Sequence, residues 1–248
     1  MIRRLVPCSM LVALLTSAAA AEPGVRTDPD NPRYSYREEH DPNGIGKFYM
    51  GREIAHVMGW QGIGWLERSE REKEEQLSKM VAALKLEPGM TVADIGAGSG
   101  VITVKLAEKV GETGAVVAVD IQEEMLIRLR KKVERLGLEN VKLIKGTITS
   151  PNLEPESVDL ALMVDVYHEF SHPHEMMQAI AAAMKPGGRV VLVEYRKEDP
   201  KVPIKLVHKM TEAQVKREIG LDEFGLRWKE TIDVLPQQHI VIFERDAK

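Results

Sequence analysis

From Leu77 to the C-terminus, short runs of branched apolar residues alternate with stretches whose apolar positions recur every three or four residues. Leu77, Met80, Val81 and Leu84 give a helix one apolar face, and Pro88-Gly89 ends it. Val92 to Ile95, Ala115 to Val119 (closed by Asp120), Val141 to Ile144, Val158 to Val164 and Val190 to Glu194 read as strands buried on both faces. Helical spacing fills the gaps. It runs from Val101 to Val110, then through Met125, Leu126, Leu129, Val133 and Leu136 to a stop at Gly137. Met176, Met177, Ile180 and Met184 mark another helix, with Pro173 in its first turn and Gly187-Gly188 beyond its end. Thr211 and Gln214 form a capping box for a helix to about Glu223. Trp228 to Val234 and His239 to Glu244 are separated only by Leu235-Pro236-Gln237-Gln238, which makes them a hairpin with one antiparallel strand. The pattern predicts an α/β fold: a doubly wound, seven-stranded, mostly parallel sheet with a C-terminal antiparallel hairpin.

The first 76 residues read differently. Arg3 and Arg4, the apolar run Leu5 to Leu15 and the small residues Ser17 to Ala21 have the layout of a secretory signal peptide, too short in its apolar part to remain as an anchor. Residues 22–47 carry the turn signals Asp28-Pro29, Asn31-Pro32 and Asp41-Pro42-Asn43-Gly44, and are expected to be an extended arm. Residues 48–76 are expected to be a helical segment or lid, with 77–248 as the main domain. The one cysteine, Cys8, falls within the signal, so the mature chain has no thiol for disulfides, metal or nucleophilic attack. Export implies the periplasm or the extracellular space, with the cytoplasm as the destination if the signal is not used. The net charge of −4, and the lack of a Lys/Arg run, argue against nucleic acid as a partner. No further segment predicts a stable membrane anchor, and oligomeric state is left open.

The candidate chemistry sits where the first strand meets its helix. Gly96-Ala97-Gly98-Ser99-Gly100 is a G-x-G-x-G turn that lets a ligand lie against the backbone. A dinucleotide fingerprint needs its last glycine at position 101, which here is Val. Asp94 suits a ligand with a cationic end better than a pyrophosphate, and Asp120 ends the second strand where an acid accepts from ribose hydroxyls.

With the apolar pair, acid and glycine run at 92–100 and the acid at 120, the chain resembles the class I S-adenosylmethionine-dependent methyltransferases over roughly Leu77 to Glu244. The resemblance implies S-adenosylmethionine as cofactor and methyl transfer to an unidentified, small-molecule acceptor. It places the methionine part of the cofactor by Asp94, Gly96, Ala97, Gly98 and Gly100, and the ribose by Asp120 and Ile121. Thr147 stands where the family often has an acid for the adenine amine, so that contact passes to Ile148 or to the backbone.

Asp165 is assigned to the cofactor side of the fourth strand's end. Tyr167 and His168 follow as catalytic candidates, or as residues that merely pack beneath the cofactor. Methyl transfer mainly needs alignment and a dry pocket, and a base only where the acceptor must lose a proton. His168 is the candidate base, with neighbouring Glu169 raising its pKa. Trp65 and Arg68, preceded by Trp60, are candidate lid residues, and Tyr195, Arg196 and His208 candidate pocket residues. His168, His172 and His174 share no face, so no metal is expected. The small-molecule branch of the family includes quinone- and arsenite-methylating enzymes; without thiols, arsenite is disfavoured. Two other readings stand beside this one: a non-catalytic S-adenosylmethionine-binding domain and a nicotinamide-dependent oxidoreductase.

Overall fold

A computed structural model describes residues 24–247, and the expected signal, residues 1–21, lies outside the described residues. The chain begins with β1 (Val25–Thr27), β2 (Tyr34–Arg37), β3 (Gly44–Tyr49) and β4 (Arg52–Ala55), an antiparallel meander in that order. Three short helices follow: α1 (Ile63–Leu66), α2 (Arg71–Glu75) and α3 (Leu77–Ala83). The main domain alternates β5 (Thr91–Ile95), α4 (Val101–Val110), β6 (Ala115–Asp120), α5 (Glu123–Leu136), β7 (Val141–Lys145), β8 (Val158–Val164), α6 (Pro173–Ala183) and β9 (Met184–Tyr195). It closes with α7 (Glu212–Ile219), β10 (Leu226–Ile232) and β11 (Gln238–Arg245).

The seven strands of the main sheet lie in the order β10-β11-β9-β8-β5-β6-β7, and β11 alone runs antiparallel to its neighbours β9 and β10. The expected doubly wound sheet with its hairpin is therefore present. Side chains alternate across it as the pleat requires. Ala93, Val119, Met163, Leu192 and Val241 pack with Met176, Ile180, Val215 and Ile219 of α6 and α7. Val92, Val116, Leu160, Val191 and Ile240 face Leu77, Met80, Ile102 and Leu106 of α3 and α4 on the other side. Between β7 and β8 residues 146–157 form a loop with no helix. Among the described residues, no helix is long and apolar enough to cross a membrane.

Four expectations about elements are corrected. Residues 22–47 are not an extended arm: from Val25 they enter the small sheet, whose core is Tyr34, Tyr49 and Ile54. Three large side chains suffice because the sheet borrows the main domain as its second wall. Tyr34 Oη and Asn31 Nδ2 donate to Glu175 on α6 at 2.5 and 2.6 Å, and Arg52 reaches Glu218 on α7. The segment 48–76 accordingly holds the end of β3 and all of β4 before its helices begin. Gln76, at φ 55°, ends α2 before α3 begins. Gly187 and Gly188 lie inside β9, where the pairing with β8 shifts register, instead of beyond a helix end. The helix from Glu212 stops at Ile219, and a separate turn covers Asp222–Phe224.

Candidate active site

The turn after β5 is folded back over β6 by its own backbone. The N–H groups of Gly96 and Ala97 both donate to Val119 O, at 2.8 and 2.9 Å, and Gly98 N–H donates to Asp120 Oδ2 at 2.9 Å. Two glycines have no substitute here. Gly96 has φ 73°, and a Cβ would lie 2.5 Å from Val166 Cγ2; Gly100 has φ 80°, and a Cβ would lie 2.1 Å from Leu129 Cδ1. Asp120 Oδ1 accepts from Gln122 N–H at 2.8 Å, so each carboxylate oxygen keeps lone pairs toward the space above.

That space is a cavity of about 480 Å³ at the carboxyl ends of the parallel strands, where ligands of open α/β sheets bind. It falls in the ordinary range for cofactor and small-molecule sites. Gly96, Gly98 and Asp120 form one wall, with Ile121, Met125, Thr147 and Ile148 beside them. Thr147 is held in a turn, its Oγ1 accepting from Ser150 N–H at 3.0 Å, and Ile148 is 53% exposed at the mouth.

A second wall is acidic. Asp165, at φ 51°, accepts from Gln238 Nε2 at 2.7 Å through Oδ2, while its buried Oδ1 has no partner among the described residues. Burial, followed by the nearby Glu75 and Glu194 charges, holds its carboxyl well above the usual range. Glu75 accepts from Arg68 at 2.6 Å, Arg71 at 2.7 Å and Tyr195 Oη at 3.1 Å. Arg71, Glu75, Asp165 and Tyr195 all line the cavity.

The third wall is built from histidines. His168 is 2% exposed. Its Nδ1 lies 2.6 Å from Glu194 Oε2 and its Nε2 3.1 Å from His208 Nδ1. Burial pushes both imidazoles down to about 4 and the Glu169 carboxyl up to about 7. The tight partner of His168 is Glu194, from β9; the adjacent Glu169 comes no closer than 4.0 Å.

Several expected site residues are placed elsewhere. Asp94 does not reach the main cavity. On β5 it shares the face of Val92, and its Oδ2 accepts from Thr103 Oγ1 of α4 at 2.6 Å, beside a small crevice that shares Leu66, Arg71, Gly96 and Val164 with the main cavity. Tyr167 is buried beneath the site with its hydroxyl donating to Glu218 at 2.9 Å. Arg196 pairs with Asp233 and caps the Leu235 and Pro236 carbonyls. Arg68 stacks 3.6 Å above the Trp65 ring and pairs with Glu74 and Glu75, so of these two only Trp65 edges the cavity. Glu75, Arg71 and Gln238 were missed, since each is an ordinary helix or strand residue in the sequence. Burial also pushes the Asp94 carboxyl up to about 6. A native acid above its unfolded value holds its proton longer than the unfolded chain does, so stability falls as pH rises from about 4 to about 6. Asp94→Asn is expected to flatten this fall, read as denaturation midpoints at pH 4 and pH 7; an unchanged slope would place the pH dependence elsewhere.

A family model described as a methyltransferase domain matches residues 86–235. The ubiquinone/menaquinone biosynthesis C-methyltransferase of Escherichia fergusonii is 30% identical over 110 residues, 44% of each chain. The chain thus spans less than half the length of that relative. A solved S-adenosylmethionine-dependent methyltransferase from Aquifex aeolicus superposes with TM-score 0.70 at 28% identity, over 76% of this chain and 99% of its own. One from Mesorhizobium loti shares the fold at TM-score 0.53 and 17% identity, over 67% and 96%.

Proposed function

The chain belongs to the methyltransferase domain family, and we propose that it transfers a methyl group from S-adenosylmethionine to a small organic molecule held against the His168–Glu169–His208 wall. The observation that carries this reading is the layout of the cavity. One wall suits a nucleoside, one suits a cation, and the third offers polar groups that the cofactor does not need.

The residues present fit the cofactor. Asp120 has free lone pairs for ribose hydroxyls, and Ile121, Met125, Thr147 and Ile148 give an apolar flank for a base. The partnerless Asp165 Oδ1 calls for a donor, which the cationic methionine end provides, and Arg71 is placed to meet its carboxylate. When bound, the cofactor supplies an electrophilic methyl on a sulfonium. The chain supplies alignment and exclusion of water. His168 is fixed between Glu194 and His208, so it presents a polar edge in one orientation to whatever lies beside the methyl group.

Asp120→Ala is expected to weaken S-adenosylhomocysteine binding about ten-fold or more, since a lost hydrogen bond to a charged group costs about 1.5–3 kcal/mol. Calorimetric titration checks it, and equal affinities would remove the ribose role. The acceptor class is tested with methyl-labelled S-adenosylmethionine and a cell extract separated by size. Label in the small-molecule fraction is the expected result, and label confined to protein or nucleic acid would overturn the reading.

A further inference from the structure

Three atoms from two distant parts of the chain converge on the cavity wall. His168 Nε2 lies 3.1 Å from His208 Nδ1 and 4.0 Å from Glu169 Oε1, and the last two atoms are 3.6 Å apart. We propose that His168, Glu169 and His208 form a binding site for a single divalent transition-metal ion of the zinc class. A point equidistant from the corners of that triangle lies about 2.1 Å from each, the length of zinc–nitrogen and zinc–oxygen bonds. Two imidazoles and one carboxylate are also a donor set that zinc and its first-row neighbours accept.

The surroundings match a ligand set. His168 is oriented through its far nitrogen by the Glu194 carboxylate at 2.6 Å, the arrangement that aims an imidazole at a metal. Glu169 Oε1 is itself held, accepting from Met58 N–H at 3.1 Å. Charge points the same way. Glu169 and Glu194 are both buried side chains, and among the described residues neither has a lysine or arginine at ion-pair distance. Among the described residues, Glu194 Oε1 has no hydrogen-bond partner. Arg52 is committed to both Glu218 oxygens and to the His168 carbonyl, so the two carboxylates beside the two imidazoles on this wall remain to be offset by a divalent cation.

All three ligands line the acceptor cavity, so the coordination positions they leave open face the substrate. There the ion takes water or an oxygen atom of the acceptor and lowers the pKa of what it holds. This places the acceptor in the class of molecules with a hydroxyl or enolic oxygen near the methylated atom. That consequence rests on the small-acceptor reading above; the metal site does not.

The test uses zinc alone. Protein stripped with a chelator and titrated with zinc sulfate in a calorimeter is expected to bind one ion. His208→Ala and Glu169→Gln are each expected to weaken binding about ten-fold or more, while His172→Ala, outside the cavity, leaves it unchanged. Cobalt(II) in place of zinc is expected to give a visible absorption band that both ligand variants lose. Retained S-adenosylhomocysteine affinity in the variants shows that they are folded. No binding, or binding that His208→Ala and Glu169→Gln leave intact, would overturn the proposal. Neither result touches the size-fraction experiment, so the two readings fail separately.

Discussion

Arg52→Leu is expected to lower stability by about 3–5 kcal/mol, the effect of stripping one partner from a buried ion pair. Arg52 donates to both Glu218 oxygens at 2.8 Å, with a third bond to His168 O at 3.2 Å. The Glu218 side chain is fully buried. After the substitution it retains the hydroxyl of Tyr167 and the amide of Gln214, neither of which carries charge. For a chain of this size the loss corresponds to a melting temperature lower by about 6–20 °C. The double variant Arg52→Leu/Glu218→Leu is expected to recover most of it, because apolar replacement of a buried pair is often neutral. Thermal melts of the three proteins decide the matter. A single variant that melts with the parent would show that the small sheet docks without this pair. Limited proteolysis adds a local readout, since β1 to β4 should become cleavable before the main sheet does.

The second large effect belongs to the glycine turn. Gly96→Ala places a methyl group 2.5 Å from Val166 Cγ2 at a residue with φ 73°. Positive φ costs a non-glycine residue about 1–2 kcal/mol, and forced overpacking about 1–3 kcal/mol more. Relief requires the turn and the Asp165-Val166 segment to separate, and both of them line the cavity proposed to hold the cofactor. The expected result is a fall of about 10²-fold in S-adenosylhomocysteine affinity, equivalent to about 2.7 kcal/mol. Gly111→Ala separates the causes. That residue has φ 68° at the end of α4, with nothing within 4 Å of a new Cβ. It suffers the backbone strain alone, far from the cavity, and should bind as the parent does. Equal affinities in all three proteins would mean that the turn yields without moving the site.

What could be read from the chain follows from how local the signal was. The main sheet announced itself because buried parallel strands are continuous apolar runs, and the glycine turn because a tight approach of backbone to ligand excludes side chains. The pleat was equally local, yet went unused. Val92 and Asp94 are two apart on one strand, so both must face α4, which is where Thr103 meets Asp94. The small sheet was hidden because Tyr34, Tyr49 and Ile54 are too few to make a core alone, and their other wall lies more than a hundred residues downstream. The histidine wall was hidden for the same reason. His172 and His174 are near His168 in sequence, whereas the residue that meets it is His208, across a loop and β9. Glu75 does not differ in sequence from a surface carboxylate. Its importance comes from burial, which only the assembled fold supplies.

The two outermost strands of the large sheet also bear on how the molecule behaves in a crowd. Among the described residues, β7 and β10 each pair on one side only, leaving a row of open backbone donors and acceptors. Such rows recruit strands from other chains during folding. β7 carries Lys142 and Lys145, and β10 carries Arg227 and Lys229 and is bent where its pairing slips between Trp228 and Glu230. Charge on one border, and charge with a bend on the other, make a flat approach by a second sheet unfavourable. The sheet is thereby guarded against aggregation along both of its borders.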